Sequence, residues 1–108
     1  MERTGDKQGW IGKGPFDAAF QDAAELVGKR WVAAVIWAVV HGKHRFGEIR
    51  NAIPGISDRL LTERLKELVE HGILCHVEED SGAGYHLTAR GAALRRVLIA
   101  LHDWAKSG

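Results

Sequence analysis

The sequence predicts a mainly α-helical chain with one small β-hairpin near its C-terminal end. Three observations carry that prediction. Apolar residues recur at helical spacing over most of residues 16–104, in segments broken by glycine or proline. Residues 73–87, ILCHVEEDSGAGYHL, alternate in the strand manner around a glycine-rich tip. The composition, 45% hydrophobic and 27% charged over 108 residues, is that of one globular domain able to bury a single core.

Each element follows in chain order. Residues 1–15, MERTGDKQGWIGKGP, hold four glycines and no periodicity, so they read as a flexible arm before a domain at 16–108. Trp10 and Ile11, out of place in a solvated tail, either dock on a partner subunit or stick loosely to the domain. Asp17 caps a first helix whose Phe16, Phe20, Ala23, Ala24 and Val27 share a face, and Gly28 ends it. A second helix, about Arg30 to His41, is apolar nearly all round and therefore central to the core. Gly42 stops it, and Lys43 to Phe46 run extended into a short third helix, FGEIRNAI, with Phe46, Ile49 and Ile53 inward.

Pro54 and Gly55 then make a turn, and Ser57 caps a fourth helix at 57–71 with the stripe Ile56, Leu60, Leu61, Leu65, Leu68 and Val69. Gly72 terminates it. The next strand puts Ile73, Cys75 and Val77 on one face and Leu74 and His76 on the other. Ser81 to Gly84 form the turn, and Tyr85-His86-Leu87 return. Thr88 caps a last helix carrying Leu94, Val97, Leu98, Leu101 and Trp104.

A short helix joined by a Pro-Gly turn to a longer one, then a hairpin, is the winged helix-turn-helix arrangement, here with additional N- and C-terminal helices. Such units place the second helix of the pair in the DNA major groove, about 12 Å wide. At about 1.5 Å per residue, the fourth helix is a rod of roughly 20 Å, long enough to lie there.

Charge supports that use. The net charge is only +1, but Lys43 to Lys66 hold six basic residues against three acidic, a local +3. Residues 67–80 then carry five acidic residues and no Lys or Arg. One side thus suits a polyanion. Ser57, Asp58, Arg59, Thr62 and Lys66 stand on the outward N-terminal half of the fourth helix. Arg59 can read guanine bidentately and Thr62 can touch a thymine methyl, whereas Lys66 suits phosphate. Arg64, nearer the stripe, can pair with Glu67 or Glu48.

Other function classes find little support. No Gly-rich phosphate loop, no G-x-S-x-G and no ordered nucleophile, base and acid set occur, so no enzyme and no cofactor are expected. His71, Cys75 and His76 do not converge within one chain, because neighbouring strand residues point oppositely, and no metal is expected. Cys75 reads as a small apolar packing residue. A single cysteine forms no internal disulfide, and the longest apolar run, Trp31 to Val40, is about half a bilayer crossing. The reading is a cytoplasmic protein without a secretion signal or membrane contact.

The stretch GKRWVAAVIWAVVHGKHRFGEIRNAIPGISDRLLTERLKELVEHGIL resembles the HxlR-type transcriptional regulators, a group close to MarR. Gly28-Lys29-Arg30-Trp31, Arg45-Phe46 with Glu48 to Ser57, Leu61-Thr62, Arg64-Leu65, His71-Gly72-Ile73 and Tyr85 to Gly91 carry the likeness, which spans residues 17 to about 104. It implies a homodimeric winged-helix regulator whose first and last helices, through Phe16, Phe20, Leu94, Leu98, Leu101 and Trp104, form the dimer. It also implies phosphate clamping by Arg45 and Arg50. Two departures stand out. The cysteine that many members carry near the start of the first helix is Ala18 here, so thiol sensing there does not carry over. The wing tip, Ser81 to Gly84, lacks arginine and follows Glu78, Glu79 and Asp80.

The expected function is therefore sequence-specific binding of an operator duplex by a homodimer, with residues 57–71 as recognition helix. The alternatives are a winged-helix module that binds protein, favoured by the acidic wing, and a regulator of the same fold sensing a metal or a small-molecule effector. Trp31, Trp37 and Trp104 can line an effector pocket, or simply fill the core.

Overall fold

The computed structural model describes residues 17–80 and 82–108. The proposed arm, Phe16 and Ser81 lie outside them. The chain divides into two units, 1–30 and 31–108.

In the first unit, α1 (Ala18–Gly28) begins at Asp17, whose Oδ1 accepts from the Ala19 N–H at 2.9 Å. None of its residues is buried; Leu26 and Val27 are half-buried and Phe20 is 56% exposed. The stripe expected of this helix is thus left largely uncovered.

The second unit runs α2 (Val32–Val40), α3 (Phe46–Ala52), α4 (Asp58–Glu70), β1 (Leu74–Glu79), β2 (Gly82–Leu87) and α5 (Ala89–Ser107). Helix α2 starts two residues later than the expected Arg30. Trp31 precedes it at φ 77°, a left-handed conformation that a bulky side chain rarely adopts and that breaks the helix there. Val32, Val35, Ile36 and Val39 of α2 form the centre of the core with Ile49, Ile53, Ile56, Leu61, Leu65 and Leu68. Val69, counted in the α4 stripe, is 37% exposed instead. Gly55 and Gly72 take positive φ at the ends of α3 and α4, as turn glycines should.

The hairpin departs from expectation in two ways. Its turn is tighter, because Glu79 pairs with Gly82, so Gly82, Ala83 and Gly84 are strand rather than loop. Strand burial does not alternate either: Ile73 and Leu74 are both buried, while Val77 is 39% exposed. β2 is half-buried or buried along its length, whereas His76, Val77 and Glu78 of β1 stand in solvent.

The root of the hairpin is fastened by Thr88. Its hydroxyl reaches the Gly72 and Ile73 carbonyls and accepts the Gly91 N–H at 3.0 Å, capping α5. Gly91 sits so close to the Ile73 carbonyl oxygen that a Cβ there would collide with it. No helix among the described residues is long and apolar enough to cross a membrane.

Candidate nucleic-acid interface

The α3–turn–α4 unit is held by its own polar groups. Glu48 in the first turn of α3 reaches back to accept the His44 and Arg45 N–H groups at 3.0 and 3.1 Å. Those two bonds, with the nearby charges of Arg45 and Lys43, hold its carboxyl below the ordinary carboxylate range. At the head of α4, the Ser57 Oγ accepts the Leu60 N–H at 3.1 Å, a standard N-cap.

Burial of Leu61, Leu65 and Leu68 turns the opposite face of α4 outward. Ser57, Asp58, Arg59, Thr62 and Lys66 are all exposed on it. The Arg59 side chain is 90% exposed and its Nε lies 3.3 Å from Glu63 one turn on. The Thr62 hydroxyl donates to the Asp58 carbonyl at 2.8 Å, which commits its polar atom to the helix and leaves the methyl for apolar contact. Arg64 pairs with Glu67 at 3.6 Å, half-sheltered at the margin of the stripe.

Two residues assigned to DNA meet each other instead of standing apart. Arg50, on α3, pairs with Asp58, on α4, at 3.3 Å. The Glu48 carboxylate is occupied at the start of α3. Arg45 does not project beside α3: its guanidinium lies over the wing, and a Cβ built on Gly82 would stand 2.5 Å from Arg45 Nη1. Gly82 has φ +115°, a conformation suited to glycine.

The wing root contains contacts that sequence reasoning missed. Tyr85 donates its N–H to the His44 carbonyl at 2.8 Å, and His44 Nδ1 meets the Tyr85 carbonyl at 2.9 Å. The His44 and His86 rings stack at 4.3 Å, and His76 stacks on Tyr85 at 4.4 Å. Cys75 donates to the His86 carbonyl at 3.6 Å. No metal-binding cluster of His, Cys, Asp and Glu occurs among the described residues. The local signal of an extended segment, Lys43 to Phe46, was visible, but nothing in its spacing names β2 as its neighbour.

Of the residues assigned to a dimer contact, Phe16 lies outside the described residues. Leu98 is buried at 3% exposure, in a groove it shares with Ala33, Ala34 and Trp37 of α2, so its side chain packs inward. Leu94 is half-buried, whereas Leu101 and Trp104 are 46% and 74% exposed, with Val97 on the same face of the helix.

Comparison with known proteins agrees with this geometry. The sequence model of the family described as HxlR-like helix-turn-helix matches residues 26–108. YodB of Bacillus subtilis, an HTH-type transcriptional regulator, is 39% identical over 88 residues, 79% of either chain. YvaP of the same organism, an uncharacterized HTH-type transcriptional regulator, is 38% identical over 89 residues, 80% of this chain and 82% of its own. The reduced form of YodB has a TM-score of 0.75 at 36% identity, covering 82% of this chain and 89% of that one. The oxidised redox regulator HypR has a TM-score of 0.76 at 26% identity, covering 84% and 97%.

Proposed function

Because this chain belongs to the HxlR-like helix-turn-helix family of transcriptional regulators, we propose that it binds operator DNA as a homodimer with α4 in the major groove. The observation that carries this reading is the division of α4. Its leucine stripe is buried in the core, and its N-terminal half presents Ser57, Arg59, Thr62 and Lys66 to solvent. Arg59 reads a base edge, Thr62 offers its methyl, and Lys66 and the cap at Ser57 meet phosphate. Arg50 becomes available to phosphate when its pair with Asp58 opens. Trp104 and Leu101 of α5, and Phe20 of α1, supply exposed apolar area for a second copy.

Titration with a mixed-sequence duplex at two salt concentrations tests the reading. Affinity should fall steeply with salt, with a log–log slope of about 0.9 per phosphate contacted. Absence of binding at low salt overturns it and favours a protein partner.

One observation favours an effector as well. Trp31, Ala34, Trp37, Ala38, Ile53 and Pro54 line an apolar groove of about 460 Å³, with His41 and Lys43 also on its wall. YodB has been solved in quinone-bound and diamide-treated forms, whereas the single thiol here, Cys75, sits half-buried on the wing. Release of bound duplex by aromatic acids would identify the groove as the effector site, and Trp37→Ala should abolish that release.

A further inference from the structure

The segment leading into α3 is fastened along the wing. His44 exchanges two hydrogen bonds with the backbone of Tyr85, at 2.8 and 2.9 Å, and its ring covers His86 at 4.3 Å. The next residue, Arg45, lays its guanidinium on Gly82 nearer the tip, where a side-chain carbon would intrude to 2.5 Å from Nη1. Glu48 then ties the N–H groups of both residues to the first turn of α3. One continuous strap therefore joins the first helix of the DNA-binding pair to β2, with Arg45 as its outermost contact. Arg45 is half-buried, its guanidinium is planar, and the absence of a side chain at Gly82 leaves room for it.

We infer that Arg45 is a positioning residue that sets the wing against the helix-turn-helix unit, rather than a residue whose charge neutralises a phosphate. This inference rests on the proposed DNA-binding reading for its consequence, since a displaced wing alters how the duplex is approached. Its structural half holds in the free protein. Gly82 is the complementary partner: Gly82→Ala removes the seat for the guanidinium just as Arg45→Ala removes the guanidinium itself. Gly82→Ala also strains a backbone at φ +115°, so its effect has a part that Arg45→Ala does not share. Lysine does not replace arginine here, because an ammonium point charge has no flat face to lay on the strand.

Two measurements on the full chain test the inference separately from the DNA reading. In the free protein, amide hydrogen exchange at Tyr85 should quicken several-fold in Arg45→Ala, Arg45→Lys and Gly82→Ala, with α4 amides unchanged. Parent-like exchange at Tyr85 in all three overturns the strap. With a mixed-sequence duplex, all three variants should lose affinity several-fold while keeping the parent's salt slope. A slope reduced by about 0.9 in Arg45→Ala, restored in Arg45→Lys, identifies a direct phosphate contact and overturns the assignment. A parent that binds no duplex defeats the DNA reading and leaves the exchange result to decide the strap.

Discussion

Arg50 and Asp58 face each other across the turn between α3 and α4, with Nη1 3.3 Å from Oδ1. The pair bridges the two helices that a DNA-binding unit must hold at a fixed angle, and it restrains a cation on the proposed DNA side. Both side chains are well exposed, 43% and 64%, so the pair adds at most about 1 kcal/mol to stability. Its larger effect is on charge. Asp58→Asn should leave the urea midpoint nearly unchanged while steepening the salt slope for a mixed-sequence duplex by about 0.9, as Arg50 and the local field are released to phosphate. An unaltered slope would remove Arg50 from the interface.

Arg59 is paired with Glu63 one turn on, and its side chain is 90% exposed. Arg59→Ala should compress the difference between preferred and random duplexes by about 1–3 kcal/mol, with non-specific affinity reduced much less. Selection of bound duplexes from a random pool, repeated with the variant, gives both numbers. A pool with the same preferred sequence for both proteins would move the base-reading role elsewhere on α4.

Gly91 lies against the Ile73 carbonyl, where α5 meets the wing root. Gly91→Ala forces the helix away from that carbonyl and should cost about 1–3 kcal/mol, the range for overpacked sites. Thr88→Val loses the cap and should cost about 1 kcal/mol. Thermal melts of both variants, with the parent alongside, give the ordering Gly91→Ala below Thr88→Val below parent.

Glu48 gives a dependence on acid. Its folded value is lowered from an ordinary 4.5 by the His44 and Arg45 N–H groups. A lowered value means that the carboxylate stabilises the fold fully above the ordinary value, and that this contribution disappears as pH falls through the folded one. Glu48→Gln should therefore be less stable than the parent at neutral pH, and the gap should narrow on acidification below 4.5. Urea midpoints of the two proteins across that range measure it; a constant gap would mean that the charge is irrelevant and only the amide-accepting oxygen matters.

Much of this architecture was legible because it is local. Ser57, Gly72 and Thr88 act as caps and stops where the sequence puts such residues, and the leucines of α4 are buried at the spacing that marks them. The contacts that escaped detection are those between segments distant along the chain. Nothing in the spacing pairs Arg45 with Gly82 or His44 with Tyr85, and the glycines of the wing resemble loop residues until a partner across the hairpin makes them strand. The alternation expected of β1 failed for a related reason. A strand alternates only where one face is covered, and beyond Cys75 this one projects from the body of the protein.

The strap along β2 also decides which side of the hairpin is left open. His44 occupies the backbone groups of Tyr85 on the flank of β2 away from β1, so that flank is no free template for another chain. The outer flank of β1 has no such cover among the described residues, and an uncovered strand edge invites pairing with a copy of itself. That edge carries Glu78 on its exposed part. Like charges brought side by side repel, so two wings resist adding to each other's sheets. The acidity that makes this wing an unpromising phosphate ligand thus has a use of its own, keeping a protruding hairpin from becoming a seed for aggregation.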